Sequence, residues 1–134
     1  SFLNQANKAK QSEAKQYLAS INKGQQAHYA EKGSFVTEIG NINDLGLGIR
    51  TASNNYSYEI GANGATDPGV NAWTKEAALG LKFYAGLVYL TDASGTLTAG
   101  TLICESAEES KSGANTQATN TLVSDCAAPF DNPL

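Results

Sequence analysis

The sequence predicts an α+β domain: one long N-terminal α-helix packed on a four-stranded antiparallel β-sheet, with a C-terminal loop region bounded by two cysteines. Three observations carry that prediction. Residues 1–31 are dominated by Ala, Lys, Gln and Glu, with apolar side chains at spacings of three and four, the period of a helix that buries one face. From residue 54 the texture changes to period-two alternation broken by turn residues, which reads as strands joined by short connections. Residues 106–134 are poor in apolar side chains and hold Cys126, the partner in number to Cys104.

The helix is expected over 1–31. No Gly or Pro interrupts residues 1–23, and Ala14, Tyr17, Leu18, Ile21, Gln25 and His28 share one face. Lys8, Lys15, Asn22 and Glu31 point elsewhere, toward solvent or a neighbouring molecule. Gly24 weakens the helix locally and Gly33 supplies its stop. At ~1.5 Å per residue the helix spans roughly 45 Å, more than the remainder of a domain this small needs to cover. Phe2 and Leu3 sit at its start, beyond the main stripe, and are expected to continue an apolar stem upstream. The absence of Met, at position 1 and throughout, gives the same expectation that a segment precedes Ser1.

Residues 34–53 read as a packed connecting loop. Its apolar residues Phe35, Val36, Ile39, Ile42, Leu45, Leu47 and Ile49 are expected to tuck onto the helix or a sheet edge, with a short helical turn near 43–45. The sheet is allotted residues 54–105. Its first strand, 54–62, sets Tyr56, Tyr58 and Ile60 on one face. Asp67-Pro68-Gly69 then marks a turn, followed by a strand at 70–79 and a bend at 81–84. A third strand covers 86–91, Asp92-Ala93-Ser94-Gly95 turns the chain, and a fourth covers 96–105. This is an antiparallel meander with one face on the helix and the other outward. Residues 106–134 are left as a long loop, which Cys126 returns to the end of the fourth strand.

Composition narrows the function. A chain of 134 residues, 41% hydrophobic and 16% charged, suits one globular domain. No apolar run approaches the ~20 residues that cross a bilayer. The net charge of −4 is uneven: residues 1–50 carry +2 and residues 51–134 carry −6. A nucleic-acid binder would present a dense basic stripe, and none is visible. The asymmetry fits complementarity between copies in an assembly, and ordinary solvated surfaces equally well. The cysteines have no CxxC spacing, and one histidine in the chain leaves a zinc site short of ligands. They form either a disulfide or two buried free thiols; the exported character of the chain favours the disulfide.

Motifs for chemistry are lacking. No GxSxG, P-loop or GxGxxG occurs. His28 has no Ser or Cys partner at a suggestive spacing and reads as a packing residue at the helix–loop junction. Glu105, Glu108, Glu109 and Asp125 lack the alternating pattern of a calcium loop and read as a solvated charge run. The six tyrosines and Trp73 read as core and sheet-face packing rather than a sugar-stacking surface. Asn55-Tyr56-Ser57 matches a glycosylation sequon, a pattern frequent by chance, and the Ser/Thr-rich stretch 110–121 reads as a polar loop rather than a glycan carrier. No catalytic residue, metal ligand or cofactor is assigned.

The opening SFLNQANKAKQSEAKQYLASINKGQQAHYAEKGSF, with Glu31, Lys32, Gly33 and Phe35 in order, resembles the segment after the membrane stem of type IV pilins, above all the pilin-like proteins of cyanobacteria. The later KEAALGLKFYAGLVYL is similar to that family as well. The resemblance implies a single pilin-like domain over 1–134, not an enzyme and without a cofactor. It implies a major or minor subunit of an extracellular, cell-surface filament, homo- or heteropolymeric with other pilin subunits, serving motility, adhesion or DNA uptake. It implies a Cys104–Cys126 disulfide, and subunit contacts along the helix through Phe2, Leu3, Ala6, Lys10, Ala14, Tyr17, Leu18 and Ile21. The family's apolar half-helix, with its early glutamate and cleaved leader, does not occur in this sequence. Inner-membrane anchoring before assembly is therefore implied only through a missing N-terminal stem. Two alternatives are a pseudopilin of a type II secretion system and a surface module that binds glycans or mediates adhesion.

Overall fold

The computed structural model describes residues 1–63, 69–93, 95–111, 115–116, 122 and 124–134. Helix α1 spans Phe2–Lys32. The Ser1 hydroxyl accepts the Asn4 N–H at 3.3 Å, and Gly33, at φ 74°, donates its N–H to the Tyr29 carbonyl at the other end. The helix runs unbroken through Gly24. A Cβ there would stand 3.2 Å from Leu47 Cδ1 and 3.3 Å from Leu45 Cβ, so glycine lets the connecting loop close against the helix. That packing offsets a helix-propensity cost of about 1 kcal/mol.

The loop holds a 3-10 helix, Ile39–Leu45, longer than the turn expected at 43–45. Val36 and Ile42 are buried, and Phe35, Ile39, Leu45, Leu47 and Ile49 pack against the core, as the sequence led us to expect. The Gln25 side chain ties the loop down. Its Nε2 donates to the Val36 carbonyl at 2.6 Å and its Oε1 accepts the Val36 N–H at 2.9 Å, both buried.

Four long strands follow in the expected order: β1 Tyr56–Ala62, β2 Gly69–Ala77, β3 Lys82–Ala93 and β4 Thr96–Glu109. They pair antiparallel in sequence. Two short strands, β5 Asn115–Thr116 and β6 Asn132–Pro133, extend the sheet beyond the four expected: β6 adds to the outer side of β4 and β5 pairs with β2. Several boundaries are corrected: β1 begins at Tyr56 rather than 54, and β2 runs from Gly69 and ends at Ala77 rather than 79. Residues 82–84 are not a bend but the start of β3, with a register irregularity between Lys82 and Tyr84. β4 continues to Glu109 rather than stopping at 105. Asp92 and Ala93 already belong to β3, which tightens the turn at Gly95. Asp67, Pro68 and Ser94 of the expected turns lie outside the described residues, as does most of the 110–121 stretch.

The outward-facing side of the sheet is the larger correction. Successive strand residues alternate faces, yet six in a row from Gly69 to Thr74 are buried. Ala14, Leu18 and Ile21 of α1 cover one face, with Tyr58, Ile60, Ala72 and Val88 among their cluster. Leu122 and Phe130, 1% and 0% exposed, belong to the same core. The Asn71 amide fixes the first of them: Nδ2 donates to the Leu122 carbonyl at 2.9 Å and Oδ1 accepts the Leu122 N–H at 3.0 Å. In its described residues the C-terminal segment thus adds a second cover over the sheet, at Leu122 and Phe130. Asn22, expected to point outward, is 5% exposed. It lies over Gly86, where a Cβ would come within 2.9 Å of Asn22 Oδ1, and donates to the Leu102 carbonyl at 3.3 Å.

Candidate assembly surface

The eight helix residues singled out in the sequence separate into three groups. Ala14, Leu18 and Ile21 are 0%, 0% and 1% exposed and sit inside this chain's own core. That burial removes them from any surface open to a neighbour. Tyr17 is half-buried at the junction. Its ring stacks on Tyr58 with centroids 3.8 Å apart, and its hydroxyl donates to the Arg50 carbonyl. Phe2, Leu3, Ala6 and Lys10 are exposed, Phe2 at 92% and Leu3 at 67%.

Helix geometry explains the division. Gln11 is the first helix residue hydrogen-bonded to the sheet, its Oε1 accepting the Lys82 N–H at 3.0 Å. From Phe2 to Gln11 lie nine rises, roughly 13 Å at ~1.5 Å each. Before Gln11 the helix makes no hydrogen bond to the sheet among the described residues; Asn7 lies beside Gly80 of the β2–β3 turn, and Phe2 and Leu3 beyond it are largely exposed.

The cysteines are joined: Cys104 in β4 and Cys126 in the C-terminal segment form a disulfide, with Cα atoms 5.7 Å apart. Cys104 is fully buried. The bond pins the second covering layer to the sheet beside the Asn71–Leu122 clamp.

The remaining candidate groups are occupied by structure. The His28 ring Nδ1 lies 2.6 Å from the Ser34 carbonyl and fastens the turn after the helix. Glu105 accepts the Tyr84 hydroxyl at 2.6 Å and faces Lys82 Nζ at 3.5 Å. Glu108 pairs with Lys111, and Asp125 accepts the Cys126 N–H. Among the described residues no three His, Cys, Asp or Glu side chains gather as a metal site would require. The Asn55 Nδ2 of the sequon donates to Glu13 Oε2 at 2.9 Å. No helix among the described residues is long and apolar enough to cross a membrane.

The tyrosines between helix and sheet respond to burial. It raises the Tyr17 hydroxyl to about 12. It also pushes up Tyr56, Tyr58 and Tyr84, helped by the carboxylates of Glu13 and Glu105. A folded-state pKa above the unfolded value of ~10 means the native state holds its protons more tightly. The stabilisation is complete below pH ~10 and is lost as pH rises through the folded values. Melting temperature is expected to hold steady below pH ~10 and fall above it, with tyrosinate absorbance rising together with unfolding. A melting temperature unchanged well above pH ~10 would contradict this.

A family model described as type IV pilin-like G and H matches residues 11–127. No curated protein and no solved structure matches the chain.

Proposed function

The chain belongs to the type IV pilin-like G and H family, and from that premise we propose that it is a subunit of an extracellular, cell-surface filament built with other pilin subunits. The family is a structural one, and a long helix on an antiparallel sheet with a disulfide-held C-terminal segment is the form such a subunit takes here. The observation that carries the proposal is the exposed start of α1. Phe2 and Leu3 form an apolar pair that is largely exposed, at 92% and 67%, and exposed apolar surface of this kind marks an interaction site. In a filament the tip packs between neighbours. Ala6 and Lys10 continue the same contact surface, while Ala14, Leu18 and Ile21 hold the helix to its own sheet. Motility, adhesion and DNA uptake are the roles such a filament would serve.

The test is a paired substitution, Phe2→Asp with Leu3→Asp, introduced at the native gene. Both side chains are exposed, so the domain should keep its stability within about 0.5 kcal/mol. Surface filaments, counted after shearing from cells, should disappear. Wild-type numbers of filaments containing the variant would rule out the tip as the assembly surface. Cells that make no filament containing even the wild-type chain would rule out the filament reading itself.

A further inference from the structure

We propose that the outer edge of β4, with the groove beside it, binds an extended acidic segment of a different polypeptide by strand addition. The two edges of the sheet are treated differently. At β1 the first half of the edge is taken by the chain itself: Tyr58 N–H donates to the Thr51 carbonyl at 3.1 Å and Ser53 N–H to the Tyr56 carbonyl at 2.8 Å, while Ile60 N–H reaches only its neighbour's Glu59 carboxylate at 3.4 Å. At β4 the partner strand β6 covers only Cys104 and Glu105, and Leu134 N–H reaches the Ile103 carbonyl. From Leu97 to Thr101 no strand pairs on that side among the described residues. The single contact there is Gln26 Nε2 on the Ala99 carbonyl, at 2.9 Å.

Proteins normally guard such an edge with lysine, proline or a bulge. The run Leu97-Thr98-Ala99-Gly100-Thr101 has no charged residue and no proline, and its register against β3 is regular. Beside it, between α1 and β4, lies a groove of about 550 Å³. Ala19, Leu102, Ile103 and Leu134 give it an apolar lining, Lys15 and Lys23 are its charged side chains, and no acidic side chain lines it. Neither lysine is in an ion pair among the described residues; Lys15 Nζ lies 5.6 Å from the Tyr84 ring centre. An open strand edge offers main-chain hydrogen bonds, and two unpaired cations select carboxylates on the incoming strand.

A second copy of this chain fits poorly as the occupant. Its β1 edge is already taken at Tyr56 and Tyr58 by residues 51–53, and pairing β4 with β4 would bring the lysines of both copies together. A strand from another protein, with acidic side chains alternating with apolar ones, meets both demands. The inference stands apart from filament formation and would survive its failure.

The probe is a capped hexapeptide alternating glutamate and valine, titrated into the isotope-labelled chain. Amide shifts are expected at residues 97–103 and along the Lys15–Lys23 face of α1, with slowed exchange at the Ala99 and Thr101 amides. The double reversal Lys15→Glu with Lys23→Glu should weaken binding by about tenfold or more. Ala99→Pro should abolish it. Because the Ile103 carbonyl points toward β6, alternation points the Ala99 N–H outward too, so proline there removes no ladder bond and the circular dichroism spectrum should be unchanged. If Ala99→Pro fails to fold, the lysine variant still decides. Equal binding of a lysine–valine peptide, no shifts at millimolar peptide, or shifts at 97–101 that grow with protein concentration alone would each overturn the proposal.

Discussion

Replacing Asn71 with leucine is expected to destabilise the domain by about 2–4 kcal/mol, the cost of leaving two buried backbone groups without partners. The Asn71 side chain is fully buried and serves both the N–H and the carbonyl of Leu122. Leucine fills comparable space but offers neither donor nor acceptor. The Leu122 side chain, 1% exposed, would lose its anchor, and the covering layer would lift from the sheet. A thermal melt should show a fall of roughly 10 °C. A melting temperature within about 2 °C of wild type would mean that the clamp contributes little.

Opening the disulfide should produce a loss of similar size by a different route. Cys104 and Cys126 are 22 residues apart, and chain-entropy reasoning gives ~3 kcal/mol for closing a loop of that length. The substitution Cys104→Ser, paired with Cys126→Ser to avoid a stray thiol, should therefore lower the melting temperature by roughly 10 °C. Both devices hold the same segment, so their losses should not add. Once the segment has been freed by either change, the second has less left to release. Additive losses in the triple variant would show that bond and clamp act on separate parts of the fold.

The parts of this fold that were legible in the sequence are those with a period. The spacing of Ala14, Leu18 and Ile21 announced a buried helix face, and Tyr56, Tyr58 and Ile60 announced a strand with one face inward. The start of β3 was hidden because Phe83, Tyr84, Ala85 and Gly86 are all buried, and a strand covered on both faces shows no alternation. The C-terminal layer was hidden for another reason. Leu122 and Phe130 stand in a stretch too short and too mixed to show a period. Gln25 already lay on the helix stripe, but the amides Asn22 and Asn71 share a third kind of concealment. Each is buried because it satisfies backbone groups distant in sequence, and their pairing is set by tertiary structure rather than local pattern.

The candidate assembly surface was half legible. Phe2 and Leu3 stand outside the helix stripe in the sequence and outside the core in the structure. The residues farther along were identified as a contact face without a means of distinguishing contact with another subunit from contact with the chain's own sheet. Gln11, the first helix residue hydrogen-bonded to the sheet, through Lys82, carries no sequence signal of that role.

The most direct measurement is hydrogen exchange along residues 2–10 in purified filaments and in the isolated domain. The isolated domain should exchange rapidly there, since this end of α1 is exposed and fraying termini open at little cost. In filaments the same amides should be strongly protected, while residues 14–21 are protected in both. Equal exchange of residues 2–10 in the two states would contradict the assignment of the helix tip as the assembly surface.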